Sequence, residues 1–244
     1  MKIAIISDIH SNFEALNHVL EGTERIDEFI CLGDIVGYGA DPNKCIKKIK
    51  NINCRSIGGN HDFAVLGKLN LDWFNDEART AIFWTSLQLE KDNHDFLLNL
   101  GKKIELKDNI FAVHGSPQNP IIEYILDKNT ASLIFDKYIF KIYFVGHTHI
   151  AGCFSINEEN KKIDYLNFSR GGHIEISKNK RYIINCGSVG QPRDGNPQAS
   201  YGIYDLKHNV VDIFRVSYPV NLTQEKIINA GLPRILADRL GFGR

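Results

Sequence analysis

Five apolar runs in this chain stop on side chains that bind metals or carry protons. KIAIIS (2–7) runs into Asp8 and His10, and FICLGD (29–34) ends in Asp34. RSIGGNHD sets Asn60, His61 and Asp62 behind two glycines. IFAVHG (110–115) carries His114, and IYFVGH (142–147) ends in His147, with His149 two residues on. Short Ile-, Val- and Phe-rich runs bounded by glycine read as buried strands. Helical patterns lie between the first of them. Ser11-Asn12-Phe13-Glu14 reads as a capping box ahead of Phe13, Leu16 and Leu20. Asp41 and Pro42 read as N-cap and first turn of a helix carrying Cys45, Ile46 and Ile49. Alternating β and α elements predict an α/β layered sheet. In such sheets the ligand crevice lies outside the carboxyl ends of the strands, so tips remote in sequence can converge on one rim. Five of the nine histidines sit at these tips, a distribution that scattered surface histidines would not give.

The remainder sets the organisation. Residues 73 to about 100 read as helical, with Trp73, Phe74, Ala78, Ala81, Ile82 and Leu89 as core positions. After residue 150 the texture changes to short β-like runs, AGCFSI, KKIDYLNF, HIEIS, RYIINC, YGIYDL and NVVDIFRV, with no long helix between them. These predict a second, mostly antiparallel sheet. The tail (223–240) returns to helix, with Pro233 in a first turn. No low-complexity linker divides the chain, so residues 1–244 are expected to form one domain, with a helical tail over about 221–244.

Composition excludes several classes. With 43% hydrophobic and 24% charged residues, the chain is not of a disordered type. Lys plus Arg (29) equal Asp plus Glu (29), so the basic excess expected of a nucleic-acid binder is missing. Five cysteines without a C-x-x-C pair fit reduced thiols better than a disulfide frame. The first strand begins at once and no apolar run reaches the length of a membrane span, so a cytoplasmic location is expected.

Singly, the tip motifs are ambiguous: Gly-Asp and Gly-Asn-His-Asp are also common turn chemistry. As an ordered set, D-x-H, G-D, G-N-H-D, V-H-G and G-H-T-H resemble the calcineurin-like metallophosphoesterase superfamily across residues 8–149. INCGSVGQPRDGNPQASYGIYD (184–205) resembles the closing segment of its small bacterial and archaeal phosphoesterase branch, with Cys186 in place of the usual proline. The resemblance implies a four-layer αββα sandwich of two mixed β-sheets flanked by helices. It also implies a binuclear site, with Asp8, His10, Asp34 and His149 around one metal and Asp34, Asn60, His114 and His147 around the other.

The chemistry of these types agrees. A carboxylate can bridge two cations, neutral imidazoles bind borderline metals without adding charge, and Asn60 offers a carbonyl oxygen. Two divalent ions are expected, with manganese favoured over iron, nickel, cobalt or zinc. The mechanism the resemblance implies is attack on phosphorus by a hydroxide held between the cations, His61 protonating the departing oxygen. Asp62 either orients His61 or stabilises a turn. Arg193 either contacts the substrate phosphate, which a guanidinium fork suits, or is a loop arginine. The expected partner is a small phosphoester, with phosphodiesters favoured; neither nucleic acid nor membrane is expected, and a homo-oligomer stays open. Protein phosphatase and dinucleoside polyphosphate hydrolase are the enzymatic alternatives. Relatives of those kinds carry an arginine after Gly-Asp and a G-N-H-E, where this chain has GDIVGYG and GNHD. A non-catalytic metal-binding scaffold is the third, weakened because His61 and every metal position are present.

Overall fold

Alternation in the first run decides the layering. In β1 (Lys2–Ile6), Ile3 and Ile5 face one way and Ile6 the other, yet all are fully buried. A strand apolar on both faces must be covered on both. In the computed structural model, which describes residues 1–23, 25–107 and 109–244, one cover is a second sheet and the other is helical.

The other strands are β2 (Glu28–Cys31), β3 (Arg55–Ser56), β4 (Lys103–Lys107), β5 (Ile110–Val113), β6 (Ile142–Val145) and β7 (Gly152–Asn157). They continue with β8 (Ile163–Asn167), β9 (Gly172–Glu175), β10 (Lys180–Asn185), β11 (Ala199–Asp205) and β12 (Val210–Val216). One sheet has the order β3-β2-β1-β11-β12-β9 and the other β4-β5-β6-β10-β7-β8. Each is mixed: β1, β2 and β3 run parallel, as do β5, β6 and β10, and the remaining pairs are antiparallel.

The inner faces meet in one apolar core that joins Ile3, Ile5 and Leu32 to Ile142, Phe144 and Ile184. Helices α1 (Phe13–Glu21) and α2 (Pro42–Asn51) cover the first sheet through Leu16, Val19, Ile46 and Ile49. Short α3 (Asn60–Val65), then α4 (Asp76–Gln88) and α5 (Lys91–Leu98), extend that layer; α6 (Lys128–Lys137) covers the second sheet through Ala131, Ile134 and Phe135. The result is the four-layer α/β sandwich expected.

Several expectations change. The strands after residue 150 do not form a sheet of their own. β7, β8 and β10 join the N-terminal β4, β5 and β6, whereas β9, β11 and β12 complete the sheet begun by β1. Lys2 pairs with Asp205 and Ile5 with Gly202, a closure that local pattern cannot encode. The capping box does not form around Ser11. Asn12 is the N-cap, its side chain accepting from Ala15 N at 3.1 Å, which puts Glu14 one position short of the reach a box requires. Glu14 turns instead to the tail, pairing with Lys226 and accepting from Thr223 Oγ1 at 3.3 Å. Asp41 is the N-cap of α2, but its carboxylate binds Lys44 and Lys226, each at 2.7 Å, not the helix backbone.

The 73–100 helix is broken at Leu89, which is extended, and begins only at Asp76; Trp73, expected in the core, is 63% exposed. In the tail, α7 (Val220–Asn229) is followed by α8 (Arg234–Asp238), with Pro233 as N-cap. Leu232, Leu236 and Leu240 pack there against Tyr38 and Ala78. The five cysteines are free, and no helix of the described residues is long and apolar enough to cross a membrane.

Candidate metal centre

The parallel strands of both sheets end at one rim. Asp8 and His10 follow β1, Asp34 follows β2, and Asn60 follows β3; His114 follows β5, and His147 and His149 follow β6. Backbone bonds beyond the strand ends tie these loops together. Asp8 N donates to Gly33 O (3.0 Å), His10 N to Asp34 O (2.9 Å) and Gly146 N to His114 O (2.9 Å). The sheets are stitched by His147 N, which donates to the Asp8 carboxylate at 3.2 Å, and by Ser188 Oγ, which donates to Asp8 O at 2.8 Å.

Five of the seven candidate ligands, Asp8, His10, Asp34, His147 and His149, hold left-handed backbone, with φ between 48° and 66°. That conformation is uncommon for residues with a Cβ and clusters at functional sites. Glycine makes the approach possible: a Cβ on Gly59 would overlap the Asp34 carboxylate, so the chain that carries Asn60 can pass directly over Asp34.

Two groups of buried donors result: Asp8, His10, Asp34 and His149, and Asp34, His114 and His147, with the donor atoms of each group within 4.8 Å of one another. His10 Nε2 faces His149 Nε2 at 3.1 Å, and His114 Nε2 faces His147 Nδ1 at 3.1 Å, with Asn60 Oδ1 3.0 Å from His114 Nε2. Asp34 belongs to both groups. Its Oδ1 accepts from His61 N at 2.8 Å. Its Oδ2 is buried without a hydrogen-bond partner among the described residues, 3.5 Å from His10 Nε2 and 3.4 Å from His114 Nε2. An orphaned carboxylate oxygen between two clusters of inward-facing nitrogens is unfavourable by itself and suits a bridging ligand.

The outward nitrogens agree. His10 Nδ1 lies 3.2 Å from Val36 O, His114 Nδ1 2.9 Å from Leu32 O, His149 Nδ1 2.6 Å from Gln191 O and His147 Nε2 3.2 Å from Ile122 O. A backbone carbonyl can only accept, so each of these nitrogens carries the proton, and a neutral ring then turns its lone pair inward. The residues therefore fit two divalent cations, and the mixed N/O donor set suits manganese, iron, cobalt, nickel or zinc.

Electrostatics follows from burial and proximity. Burial lowers His10 and His149 well below the ordinary imidazole value and His147 to about 3, keeping these rings neutral. Burial also opposes the charged form of His114, but the Asp34 carboxylate outweighs it and raises the ring to about 9. Asp34 is the converse: burial raises it, yet His114 and His61 hold it well below the usual carboxylate range. Burial pushes Asp8 up to about 6, with Asp34 adding repulsion. A cation entering beside His114 takes the place of a proton.

Next to this cluster opens a cleft of about 410 Å³. His61 lines it, its ring edge-on to His10 (4.8 Å, 86°) and to Phe74 (5.3 Å, 81°), and against Tyr38 (4.3 Å). His61 Nδ1 is buried without a partner among the described residues, over Gly37, where a Cβ would come within 2.6 Å of it at φ +97°. Burial lowers His61 to about 4. Asp62 does not reach this ring. Its two oxygens accept from Val36 N (3.1 Å) and Gly59 N (3.0 Å), so it ties the two loops that frame Asp34. Burial and repulsion from Asp34 raise it to about 7. Of the two readings open for Asp62, the geometry is that of a turn-stabilising carboxylate.

Arg193 lines the cleft, its guanidinium held by Gln191 Oε1 at 2.7 Å and lying 5.7 Å from the Tyr38 ring centre. No carboxylate pairs with it among the described residues. Tyr38, Trp73, Phe74 and Tyr124 also line the cleft and were not singled out for function by sequence reasoning. Tyr38, set between two glycines after Gly33-Asp34, carried the one signal available; Tyr124, in a plain loop, carried none.

A sequence profile of the calcineurin-like phosphoesterase superfamily domain matches residues 1–209. An uncharacterised protein of Methanocaldococcus jannaschii is 43% identical over 248 residues, covering 99% of this chain and 98% of its own. The crystal structure of a metallophosphoesterase from Sphaerobacter thermophilus superposes with a TM-score of 0.87 at 41% identity, covering 100% of this chain and 99% of that one. A hypothetical protein from Pyrococcus horikoshii shares the fold, with a TM-score of 0.80 at 21% identity over 100% and 98% of the two chains.

Proposed function

The chain belongs to the calcineurin-like phosphoesterase superfamily, and from that premise we propose that it hydrolyses phosphodiesters at a pair of divalent cations, with His61 giving a proton to the departing oxygen. The observation that carries this reading is the shared, orphaned Oδ2 of Asp34 between two histidine clusters. The cations, once bound, supply positive charge for the phosphate oxygens and acidify a water that serves as nucleophile.

The residues of the chain do the rest. Asp34 holds the two positions in fixed relation, and the carbonyl-anchored imidazoles keep their donor atoms aimed inward without rearrangement. Arg193, without a carboxylate partner among the described residues, offers its guanidinium to a phosphate oxygen. His61 is neutral before substrate enters. An anionic phosphate beside it favours the imidazolium, so the ring takes up its proton as the substrate arrives and releases it as the ester bond breaks. Phe74 and Tyr38, packed on the His61 ring, narrow the approach there and limit water beside it. Favouring diesters rests on space: the cleft lined by Asp34, His147 and His149 also reaches Trp73, Asn75 and Ala78, more room than a phosphate alone occupies.

The test is a turnover screen of phosphomonoesters, phosphodiesters and polyphosphates with manganese, iron, cobalt, nickel and zinc. Diester turnover above the others supports the proposal. Monoester or polyphosphate preference would move the substrate class, and inactivity on every ester with every metal would end the hydrolase reading.

A further inference from the structure

The aromatic side of the cleft is larger than the chemistry at phosphorus needs. Phe74 and Tyr38 are accounted for, since both pack against the His61 ring. Trp73 is not, and Tyr124 is only on the face it turns to His147. Trp73 is 63% exposed at the mouth, while the next residue, Phe74, turns inward. Tyr124 is 46% exposed and lies parallel to the His147 imidazole, 3.9 Å between centres at 10°. An indole left open to water beside an active cleft holds unspent binding area, and flat faces reward flat partners.

Polar groups nearby suit the same partner. Asn75 Oδ1 is occupied in capping α4 (Ala78 N, 2.9 Å), which leaves its amide N–H groups at the cleft wall as donors. Arg193 adds a planar cation that already lies over Tyr38. Stacking faces, amide donors and a guanidinium without a carboxylate partner among the described residues together fit a heteroaromatic ring carried on a phosphate better than an alkyl chain or a sugar alone.

We propose that this cleft is a nucleotide subsite, in which the organic group of the phosphoester is a nucleoside whose base stacks on Trp73 and Tyr124. The proposal deepens the hydrolase reading but leans on it only for where the phosphate sits; stacking is measurable without turnover.

Two readouts separate the two ideas. The chain has two tryptophans, so Trp84→Phe leaves Trp73 as the sole indole. Adenosine monophosphate titrated into this full-length variant, with manganese present, should quench its fluorescence saturably, whereas ribose 5-phosphate should not. By calorimetry, Trp73→Ala should weaken adenosine monophosphate at least about fivefold, the loss expected for one base–aromatic stack of ~1 kcal/mol. Trp73→Phe should restore most of it, and ribose 5-phosphate should bind both variants like the parent protein. In turnover, Trp73→Ala should raise KM for a dinucleoside phosphate and leave that for glycerophosphoethanolamine unchanged.

Equal affinity for the nucleotide and the sugar phosphate overturns the subsite even if diesters are hydrolysed. Saturable quenching without hydrolysis of any ester keeps the subsite and ends the hydrolase reading. Absence of both ends both.

Discussion

Asp34→Asn isolates the bridging role. The amide has nearly the volume of the carboxylate, so no cavity opens, and its oxygen can still accept the His61 N–H that Oδ1 receives at 2.8 Å. What disappears is the charged Oδ2, which faces His10 and His114 at 3.5 and 3.4 Å. One substitution therefore damages both positions, whereas His147→Ala removes a donor from one.

At a free metal concentration ~100 times Kd, each site adds about 2.7 kcal/mol to folding stability. For a chain of this length each kcal/mol moves Tm by ~2–4 °C, so two filled sites raise it by roughly 10–20 °C. Loss of a partner outside the coordination shell already lowers metal affinity about 10–100-fold, so removing the bridge should cost at least the upper figure. The same metal concentration then equals Kd, each site contributes only ~0.4 kcal/mol, and the total rise falls to about 2–3 °C. His147→Ala should keep about half the parent rise.

The assay is thermal unfolding of metal-stripped protein with and without manganese, read beside metal content by mass spectrometry. An Asp34→Asn protein that keeps the full thermal increment and about two metals per chain would refute the shared-carboxylate argument, whatever its activity.

Other outcomes follow from single features of the rim. His61→Ala should lower kcat by about 10²–10⁴ while metal content stays at the parent value; unchanged kcat would remove His61 from proton transfer. His114, raised to about 9 by Asp34, must lose its proton to become a ligand. Protonation competes with metal, so apparent affinity should climb as pH rises, up to tenfold per unit, and level off near 9. Calorimetry in buffers of different ionisation enthalpy should register the released proton, and flat affinity from pH 6 to 8 would contradict this. Asp194 and Arg215 form an ion pair with 1% and 4% of their side chains exposed. Asp194→Ala should cost about 3–5 kcal/mol by stranding a buried cation, and adding Arg215→Met should recover most of it in urea melts.

The donor set was legible in the chain because each member stands at the end of a recognisable apolar run. Glycine brackets at Gly33, Gly58-Gly59 and Gly146 marked where the backbone leaves the sheet. The layering was legible too, since β1 and β6 are apolar on both faces. The division of the later strands between sheets was not. β7 and β11 have similar patterns, and what sorts them is pairing with partners far away, Cys153 with Ile184 in one case and Tyr204 with Ile3 in the other. Register over such separations depends on which face finds the core, and composition does not carry that. The role of Glu14 was hidden for the same reason, its partner Lys226 lying in the tail.

Backbone strain explains why side-chain type was a better guide here than conformational preference. Left-handed φ in a residue with a Cβ costs roughly 1–2 kcal/mol, and five candidate ligands adopt it. Together that is of the order of a whole domain's net stability, so local propensity would never place these residues as found. They are held because surrounding bonds overdetermine each tip: Asp8 is fixed by its own N–H to Gly33 and by Val189 and Gly190 closing on Ser7 and Asp8. His149 is pinned through its ring to Gln191 O and through its carbonyl to Arg193 N. The segment 188–193 thus serves as the outer wall of the donor cluster as well as the carrier of Arg193. That dual part explains why this loop, with little regular structure of its own, is buried from Ser188 through Pro192. Its backbone amides and carbonyls hold metal-facing residues in conformations they would otherwise leave, and the same geometry aims a guanidinium at the cleft.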